Sequence, residues 1–156
     1  DLWDSIQVRL VSQPTLQFQV GDGTVMWRDA LIRQRLGQGS FRILVTDTYR
    51  RQCAITGEKA LPALEAAHIR PVTEDGKHRV DNGLLFRSDI HRLFDKGYVT
   101  VTPDYKFCAS RKLKDHFDNG EEYFRLNGDS IWLPEASDAK PNRDFLEWHS
   151  DTIFRR

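Results

Sequence analysis

Long apolar runs, paired cysteines and an excess of either charge are all missing from this sequence. No stretch approaches the roughly 20 consecutive apolar residues of a membrane-spanning helix, so we expect no membrane partner. The two cysteines, Cys53 and Cys108, form no Cys-x-x-Cys pair, which excludes a disulfide scaffold and a cysteine-type zinc site. A reducing, cytoplasmic setting is therefore expected. Lysine plus arginine and aspartate plus glutamate each number 23, and this zero net charge argues against a bulk nucleic-acid binder.

The positive charges are nevertheless distributed unevenly. Residues 28–51 contain six arginines and two aspartates, and residues 106–114 contain four lysines or arginines and no acid. Such segregation can leave one basic face for phosphate groups. A generally solvated charged surface explains it equally well.

The length of 156 residues fits one domain with a short appended segment. Residues 1–30 are interpreted as an N-terminal arm or the tail of a preceding domain, and residues 31–156 as the domain itself. Because the chain begins at Asp1 rather than Met, we expect it to be part of a longer protein.

The densest pattern of secondary-structure signals lies in residues 53–102. A strand at 53–55 and a strand at 64–69 are expected to form a hairpin across a glycine turn. Asn82-Gly83 is read as a turn, and the next apolar run enters the core. Ser88 as N-cap and Gly97 after the last turn predict a helix at 89–96.

Flanking elements complete an α+β prediction. Ser40 is the expected N-cap of a helix at 41–49, with one apolar face made of Phe41, Leu44, Val45 and Tyr49. Further elements are a strand pair at 98–102 and 105–109, a helix at 112–118, a hairpin at 122–126 and 130–133, and a closing helix capped by Asn142.

Residues 68–95 carry side chains suited to phosphodiester hydrolysis, which requires an activated water and a cation held rigidly. His68, at a strand end, can take a proton near neutral pH. His91 and Asp95, four apart on a helix, can hold one divalent ion. Asn82 can hold the intervening loop by hydrogen bonds to backbone groups.

Each of these residues taken singly has a structural interpretation. A strand histidine is usually a packing or surface residue, Asn-Gly is a common turn, and a His–Asp pair at i, i+4 is ordinarily a surface contact. His78, His116 and His149 are interpreted as structural or surface residues, since His78 lies in a polar loop and the other two accompany apolar helix faces.

The combined pattern resembles the HNH endonuclease family, in the form found in restriction endonucleases. The resemblance rests on Ala67-His68-Ile69-Arg70-Pro71, Asp81-Asn82-Gly83-Leu84-Leu85 and Ser88-Asp89-Ile90-His91-Arg92-Leu93-Phe94-Asp95. It implies a ββα-metal finger, a β-hairpin plus a short helix, at about 53–102, with flanking helices and small antiparallel strands around it.

The resemblance also implies roles for individual residues. His68 corresponds to the general base, Asn82 to the residue that orients the loop and His91 to a metal ligand, while Asp95 matches a second helix ligand. Many members carry a metal ligand directly before the base, where this chain has Ala67. Glu65 is a possible substitute, although strand alternation places it on the opposite face from His68.

Together with these residues, the resemblance implies a metal-dependent endonuclease of a restriction or defence system that acts on double-stranded DNA. The expected products carry 5′-phosphate and 3′-hydroxyl ends, and Mg²⁺ is the expected ion, with Mn²⁺ or Ni²⁺ as alternatives. Arg70, Arg87 and Arg92 are candidate phosphate contacts. Cutting both strands would require a homodimer or two visits, and a specificity domain is expected elsewhere in the protein.

Two other functions stay open at this point. A non-catalytic nucleic-acid-binding module that retains the finger is favoured by Ala67. A protein–protein interaction domain would bind DNA only weakly and without salt dependence.

Overall fold

The computed structural model describes residues 37–72 and 78–156. The predicted N-terminal arm, residues 1–30, and the predicted start of the domain at residue 31 lie outside these ranges. Within them, short helices surround two small antiparallel strand pairs. This arrangement confirms the α+β prediction. No described helix is long and apolar enough to cross a membrane.

The first described helix, α1, covers residues 37–48. Phe41, Val45 and Tyr49 recur every four residues and are at most 3% exposed, so they form the buried face that the periodicity predicts. Leu44 does not belong to this face, because it is turned by about 100° from Val45 around the helix axis. It is 48% exposed.

The predicted start of α1 was wrong. The chain is already helical at Gly37, so Ser40 lies within the helix and cannot be its N-cap. An apolar face at a spacing of four marks which residues are buried, but it does not show where the helix begins.

The centre of the fold is a hairpin followed directly by a helix. Strand β1 (Leu64–His68) pairs antiparallel with strand β2 (Gly83–Arg87), and His68 lies opposite Gly83. Helix α2 (Ser88–Asp95) begins at the next residue and buries Ile90 and Phe94. The ββα order of the prediction is present, with the helix within one residue of the expected bounds.

The strand predicted at 53–55 is instead a turn, in which the Gly57 N–H donates to the Cys53 carbonyl at 3.0 Å. Ala54 connects two parts of the fold, since its N–H donates to Leu85 O and its carbonyl accepts from Trp132 N. The prediction therefore named the wrong partner for β1. Residues 84–86 are fully buried, so their backbone N–H and C=O groups need hydrogen-bond partners within the protein. Strand β1 pairs with β2 at five positions, more than the three residues 53–55 could provide.

The next elements largely follow the prediction. Strand β3 (Val99–Val101) pairs with strand β4 (Phe107–Ala109), and helix α3 (Lys112–Phe117) follows. The predicted strand at 122–126 was wrong, because Glu121–Phe124 form a short helix, α4. Two acids in its first turn favour a helix N-terminus electrostatically.

The closing helix, α5 (Arg143–Thr152), is capped as predicted. The Asn142 side chain accepts from the N–H groups of Asp144 at 2.9 Å and Phe145 at 3.4 Å. The helix contacts β3 and buries Leu146 and His149. It therefore packs against β3, and His149 reaches Phe94 of α2.

His149 has the structural role that the sequence suggested. Its ring stacks on Phe94 at 3.7 Å, its Nε2–H donates to the Phe94 carbonyl at 2.9 Å, and its Nδ1 lies 2.8 Å from Thr100 Oγ1. Burial lowers the pKa of His149 to about 4, although the bond to Phe94 O favours the charged form. The folded protein therefore holds this imidazole neutral.

We predict that His149 makes stability fall in mild acid. Its folded pKa lies below the unfolded value near 6.5, so its contribution is fully present above pH 6.5 and is lost as the pH falls through about 4. Its share of the unfolding free energy is on the order of 3 kcal/mol. Urea unfolding from pH 7 to 4 measures it. His149→Gln should remove this share and leave the share of His68, whose pKa burial also lowers to about 4. His116→Gln, at an exposed imidazole, is the control.

Candidate active site

His68 ends β1 and lies against α1. Its ring stacks on Phe41 at a centroid distance of 3.8 Å and an interplanar angle of 7°. Its Nε2 lies 3.1 Å from Nδ1 of His78. Burial lowers the pKa of His68 to about 4, and the neighbouring His78 lowers it further, so the imidazole is neutral near pH 7.

Gly83 makes this contact with α1 possible. A Cβ on Gly83 would lie 2.4 Å from Val45 Cγ2 and 3.0 Å from the Phe41 ring. Its φ of −129° is ordinary extended backbone, so the residue starts β2 and does not form the turn that Asn82-Gly83 suggested. Glycine is needed here for close packing.

Asn82 holds the chain just after His68. Its Oδ1 accepts from the Arg70 N–H and its Nδ2–H donates to the Arg70 carbonyl, both at 2.9 Å. Its own carbonyl accepts from the Ile69 N–H at 3.0 Å. The side chain is fully buried, so the loop-orienting position expected for Asn82 has a geometric basis.

His91 lies on α2 between two carboxylates. Its Nδ1 is 2.6 Å from Glu65 Oε2, and its Nε2 is 3.2 Å from Asp95 Oδ2. Burial lowers the pKa of His91, but the hydrogen bonds and charges of Asp95 and Glu65 raise it by more, so the net pKa lies above its ordinary value. The sequence placed Glu65 away from this site by alternation, yet its long side chain reaches α2.

His68, His91 and Glu65 line one open cleft of about 460 Å³. The described residues around it come from α1, the segment before β1, β1 itself and α2; they are Gln38, Phe41, Arg42, Pro62, Leu64, Glu65, Ala66, His68 and His91. The structure therefore brings His68 and His91, 23 residues apart in sequence, to the same surface.

A comparison with protein families identifies the central stretch. Residues 53–102, which are 50 of the 156, match the HNH_2 family, described as HNH endonuclease. By this match, residues 53–102 resemble HNH endonuclease domains, and this stretch is called the HNH domain. None of the curated proteins matches the chain.

One solved structure that this chain resembles is that of a "Modification dependent TagI restriction endonuclease". The TM-score is 0.50 at 20% identity, which shows a shared fold. The match covers 73% of this chain and 37% of that one, so the chain spans just over a third of that protein's length.

The three predicted arginines of the HNH domain have different surroundings. The Arg70 guanidinium lies over the Trp148 ring at 5.1 Å. Arg87 forms a two-point contact with Asp89 at 2.7 and 2.9 Å, which occupies its guanidinium. Arg92 is exposed on α2. Arg42, exposed on α1 and lining the cleft, was not singled out from the sequence, where only the basic segment around it was noted.

The donor atoms of His91 and Asp95 are of types that fit the divalent ion expected from the sequence. Within residues 37–72 and 78–156, no group of three or more His, Cys, Asp and Glu forms a ready cluster for an ion. Yet His91 Nε2 and Asp95 Oδ2 are 3.2 Å apart, close to the roughly 3 Å between neighbouring ligands of a small divalent ion. The Glu65 carboxylate lies within hydrogen-bond distance of Nδ1, the other ring nitrogen of His91. Carboxylates commonly accept this hydrogen bond from metal-binding histidines.

Asn82→Ala should destabilise the HNH domain. The change removes the Asn82 side chain that bonds to the Arg70 N–H and carbonyl. Leaving a buried polar group without its partner lowers the free energy of unfolding by roughly 1–3 kcal/mol. Urea unfolding at pH 7 measures the loss. Asn119→Ala, at an exposed asparagine, is the control and should change stability by less than about 0.5 kcal/mol. Equal stability of the two variants would contradict a holding role for Asn82.

Proposed function

We propose that this domain is a metal-dependent DNA endonuclease that hydrolyses phosphodiester bonds to 5′-phosphate and 3′-hydroxyl ends. The observation that supports this most strongly is the shared cleft, which is lined by a neutral His68 and by His91. The Nε2 atom of His91 lies 3.2 Å from Asp95 Oδ2. A base and a cation-binding pair on rigid, adjacent elements are the parts that such hydrolysis requires.

His68 acts as the general base in this proposal. A low pKa keeps the imidazole unprotonated at neutral pH, so it can accept a proton from the attacking water. Stacking on Phe41 and the Asn82 bonds to Arg70 hold the ring and the chain beside it. The proton moves from water to the imidazole as the oxygen attacks phosphorus.

His91 and Asp95 would hold the divalent ion, with Mg²⁺ as the first candidate and Mn²⁺ or Ni²⁺ as alternatives. The ion, when bound, supplies positive charge against the negative charge that develops on the phosphate. Glu65 orients His91 through Nδ1 and leaves Nε2 for coordination. The Ala67 side chain supplies no ligand, so water and phosphate oxygens would have to complete the coordination.

Phosphate contacts would come from arginines near the cleft. Arg42 and Arg92 are exposed and form no ion pair with a described residue, and Arg42 lines the cleft directly. Arg70 can combine a phosphate contact with its stacking on Trp148. Arg87 is the weakest of the predicted contacts, because Asp89 already occupies its guanidinium.

The biological setting is proposed from the fold match. Because the chain spans 37% of the TagI restriction endonuclease chain, we propose that it is the cutting part of a restriction or defence protein whose specificity lies in another part. A homodimer would allow both strands of a double-stranded DNA to be cut. The free thiols of Cys53 and Cys108 fit a reducing, cytoplasmic setting.

A second candidate function is a nucleic-acid-binding module without turnover. Two observations favour it: Ala67 precedes the base position, and the described residues contain no ready cluster of three metal ligands. This module would bind DNA in the same cleft, and its binding would weaken with salt.

Nicking of supercoiled plasmid separates these functions. The wild-type protein with Mg²⁺, Mn²⁺ or Ni²⁺ should nick, and EDTA should abolish nicking. His68→Ala should lower the rate by roughly 10²- to 10⁴-fold, because the base is lost, while DNA binding by gel shift is retained. His116→Ala is the matched control. No nicking by a folded wild-type protein with any ion would favour the binding module.

Metal affinity tests the role of Glu65. Titration calorimetry with Mn²⁺ should show Asp95→Ala losing most of the binding, and Glu65→Ala weakening it by roughly 10- to 100-fold. Glu147→Ala, at an exposed glutamate of α5, should bind like the wild type. Equal losses for Glu65→Ala and Asp95→Ala would make Glu65 a ligand. No loss for Glu65→Ala would remove it from the site.

A further inference from the structure

His78 is the one histidine near the cleft to which neither the sequence nor the family pattern assigned a role. It lies ten residues after His68 in the loop between β1 and β2. The structure nevertheless brings its Nδ1 to 3.1 Å from His68 Nε2, with the two rings edge to face at 5.1 Å and 64°. No spacing rule in the sequence connects two histidines that meet through a loop.

Phe41 and Gly37 of α1 lie close to the His78 ring and limit its position. Phe41 stacks on His68 and also lies 6.0 Å from the His78 ring. A Cβ on Gly37 would lie 2.8 Å from His78 Cδ2, so only glycine leaves room for the ring beside α1. His78 Nε2 is buried and has no hydrogen bond to a described residue, which leaves Nδ1 as the bonding atom of this imidazole.

The direction of the His68–His78 hydrogen bond decides whether His68 can work as a base. A neutral imidazole carries one proton, on Nδ1 or on Nε2. If His68 Nε2–H donates to His78, then His68 Nδ1 keeps its lone pair. If His78 donates instead, the proton of His68 sits on Nδ1, which then cannot accept another. Nδ1 of His68 makes no hydrogen bond to a described residue, and His68 lines the cleft.

We propose that His78 is a positioning residue for the base: its Nδ1 accepts the Nε2–H of His68 and thereby leaves His68 Nδ1 to take the proton from water. This inference rests on the proposed function of His68. When the water proton reaches Nδ1, His68 becomes an imidazolium, and its Nε2–H bond to His78 becomes a stronger, charge-assisted one. A third group that orients the base is a recurring arrangement in hydrolytic sites.

Other charged groups also face His68. Asp95 favours its charged form, whereas His91 and His78 disfavour it; Glu65 and Arg42 line the same cleft. His78 is the neighbour of His68 that forms a hydrogen bond to its ring among the described residues. It is therefore the group that can select the tautomer, while the others act through space.

Three substitutions of His78 test this proposal. His78→Leu removes the acceptor, His78→Asn places an amide oxygen near the position of Nδ1, and His78→Asp offers a charged acceptor. We expect the single-turnover nicking rate to fall roughly 10- to 100-fold in His78→Leu, less than after loss of the base itself. His78→Asn should restore most of the rate. His116→Leu, which removes an exposed imidazole, is the matched control.

The dependence of the nicking rate on pH gives a second test, because a purely structural role of His78 would leave it unchanged. The carboxylate of His78→Asp favours protonated His68, so the acidic limb of the rate profile should shift to higher pH. The affinities for Mn²⁺ and for DNA should stay within about twofold of the wild type in His78→Asn and His78→Asp. Equal rates for His78→Leu and His78→Asn, or an unshifted limb in His78→Asp, would overturn the proposal.

Gly37→Ala disturbs the His68–His78 contact from α1 without replacing either histidine. Alanine in a helix is favoured over glycine by about 1 kcal/mol, so this variant should stay folded, and the added Cβ should displace the His78 ring. We expect a slower nicking rate without loss of thermal stability. An unchanged rate in Gly37→Ala together with an unchanged rate in His78→Leu would overturn the proposal.

Nitrogen-15 NMR of the imidazoles keeps the inference separate from the nuclease proposal. In the wild-type protein near pH 7, His68 should show the proton on Nε2, and His78→Leu should change that tautomer balance. This result would support the positioning role even if no plasmid were nicked, in which case only the nuclease proposal fails. A wild-type His68 with its proton on Nδ1 would overturn the inference whatever the plasmid assay shows.

Discussion

The antiparallel pairing of β1 with β2 places the side chains on which the proposed chemistry depends. It sets His68 opposite Gly83, and the missing Cβ of Gly83 lets α1 approach until Phe41 stacks on His68. The same pairing brings Asn82 beside Arg70, where two hydrogen bonds hold the chain after the base. Since α2 follows β2 without a linker, the position of His91 depends on this register too.

The site holds its two cleft histidines in opposite electrostatic environments. His68 is partly buried next to another imidazole and an aromatic ring, so its neutral form is favoured. His91 lies between the carboxylates of Glu65 and Asp95, so positive charge is favoured at its position, whether a proton or a metal ion carries it. Neighbouring groups with such divergent environments are typical of acid–base sites.

Local signals in the sequence were sufficient for several elements. The helix carrying His91, the β3–β4 pair and the Asn142 cap depend on contacts within a few residues, so their patterns predicted them well. Predictions failed where a distant part of the chain decided the outcome. The partner of β1 was wrong because a strand pattern does not specify which strand it pairs with, and the helix at Glu121–Phe124 was missed because an Asn-Gly turn signal next to it was read as a hairpin.

The sequence by itself determined the order of the chemical groups: a strand-end histidine, an asparagine and a helix-borne His–Asp pair, each set by local spacing. Only the tertiary structure decided which further groups meet them. Glu65 reaches His91 although strand alternation points it elsewhere, and His78 reaches His68 through a loop that carries no periodicity. Both contacts depend on side-chain reach and on how α1, β1 and α2 pack together, and no local pattern encodes that packing.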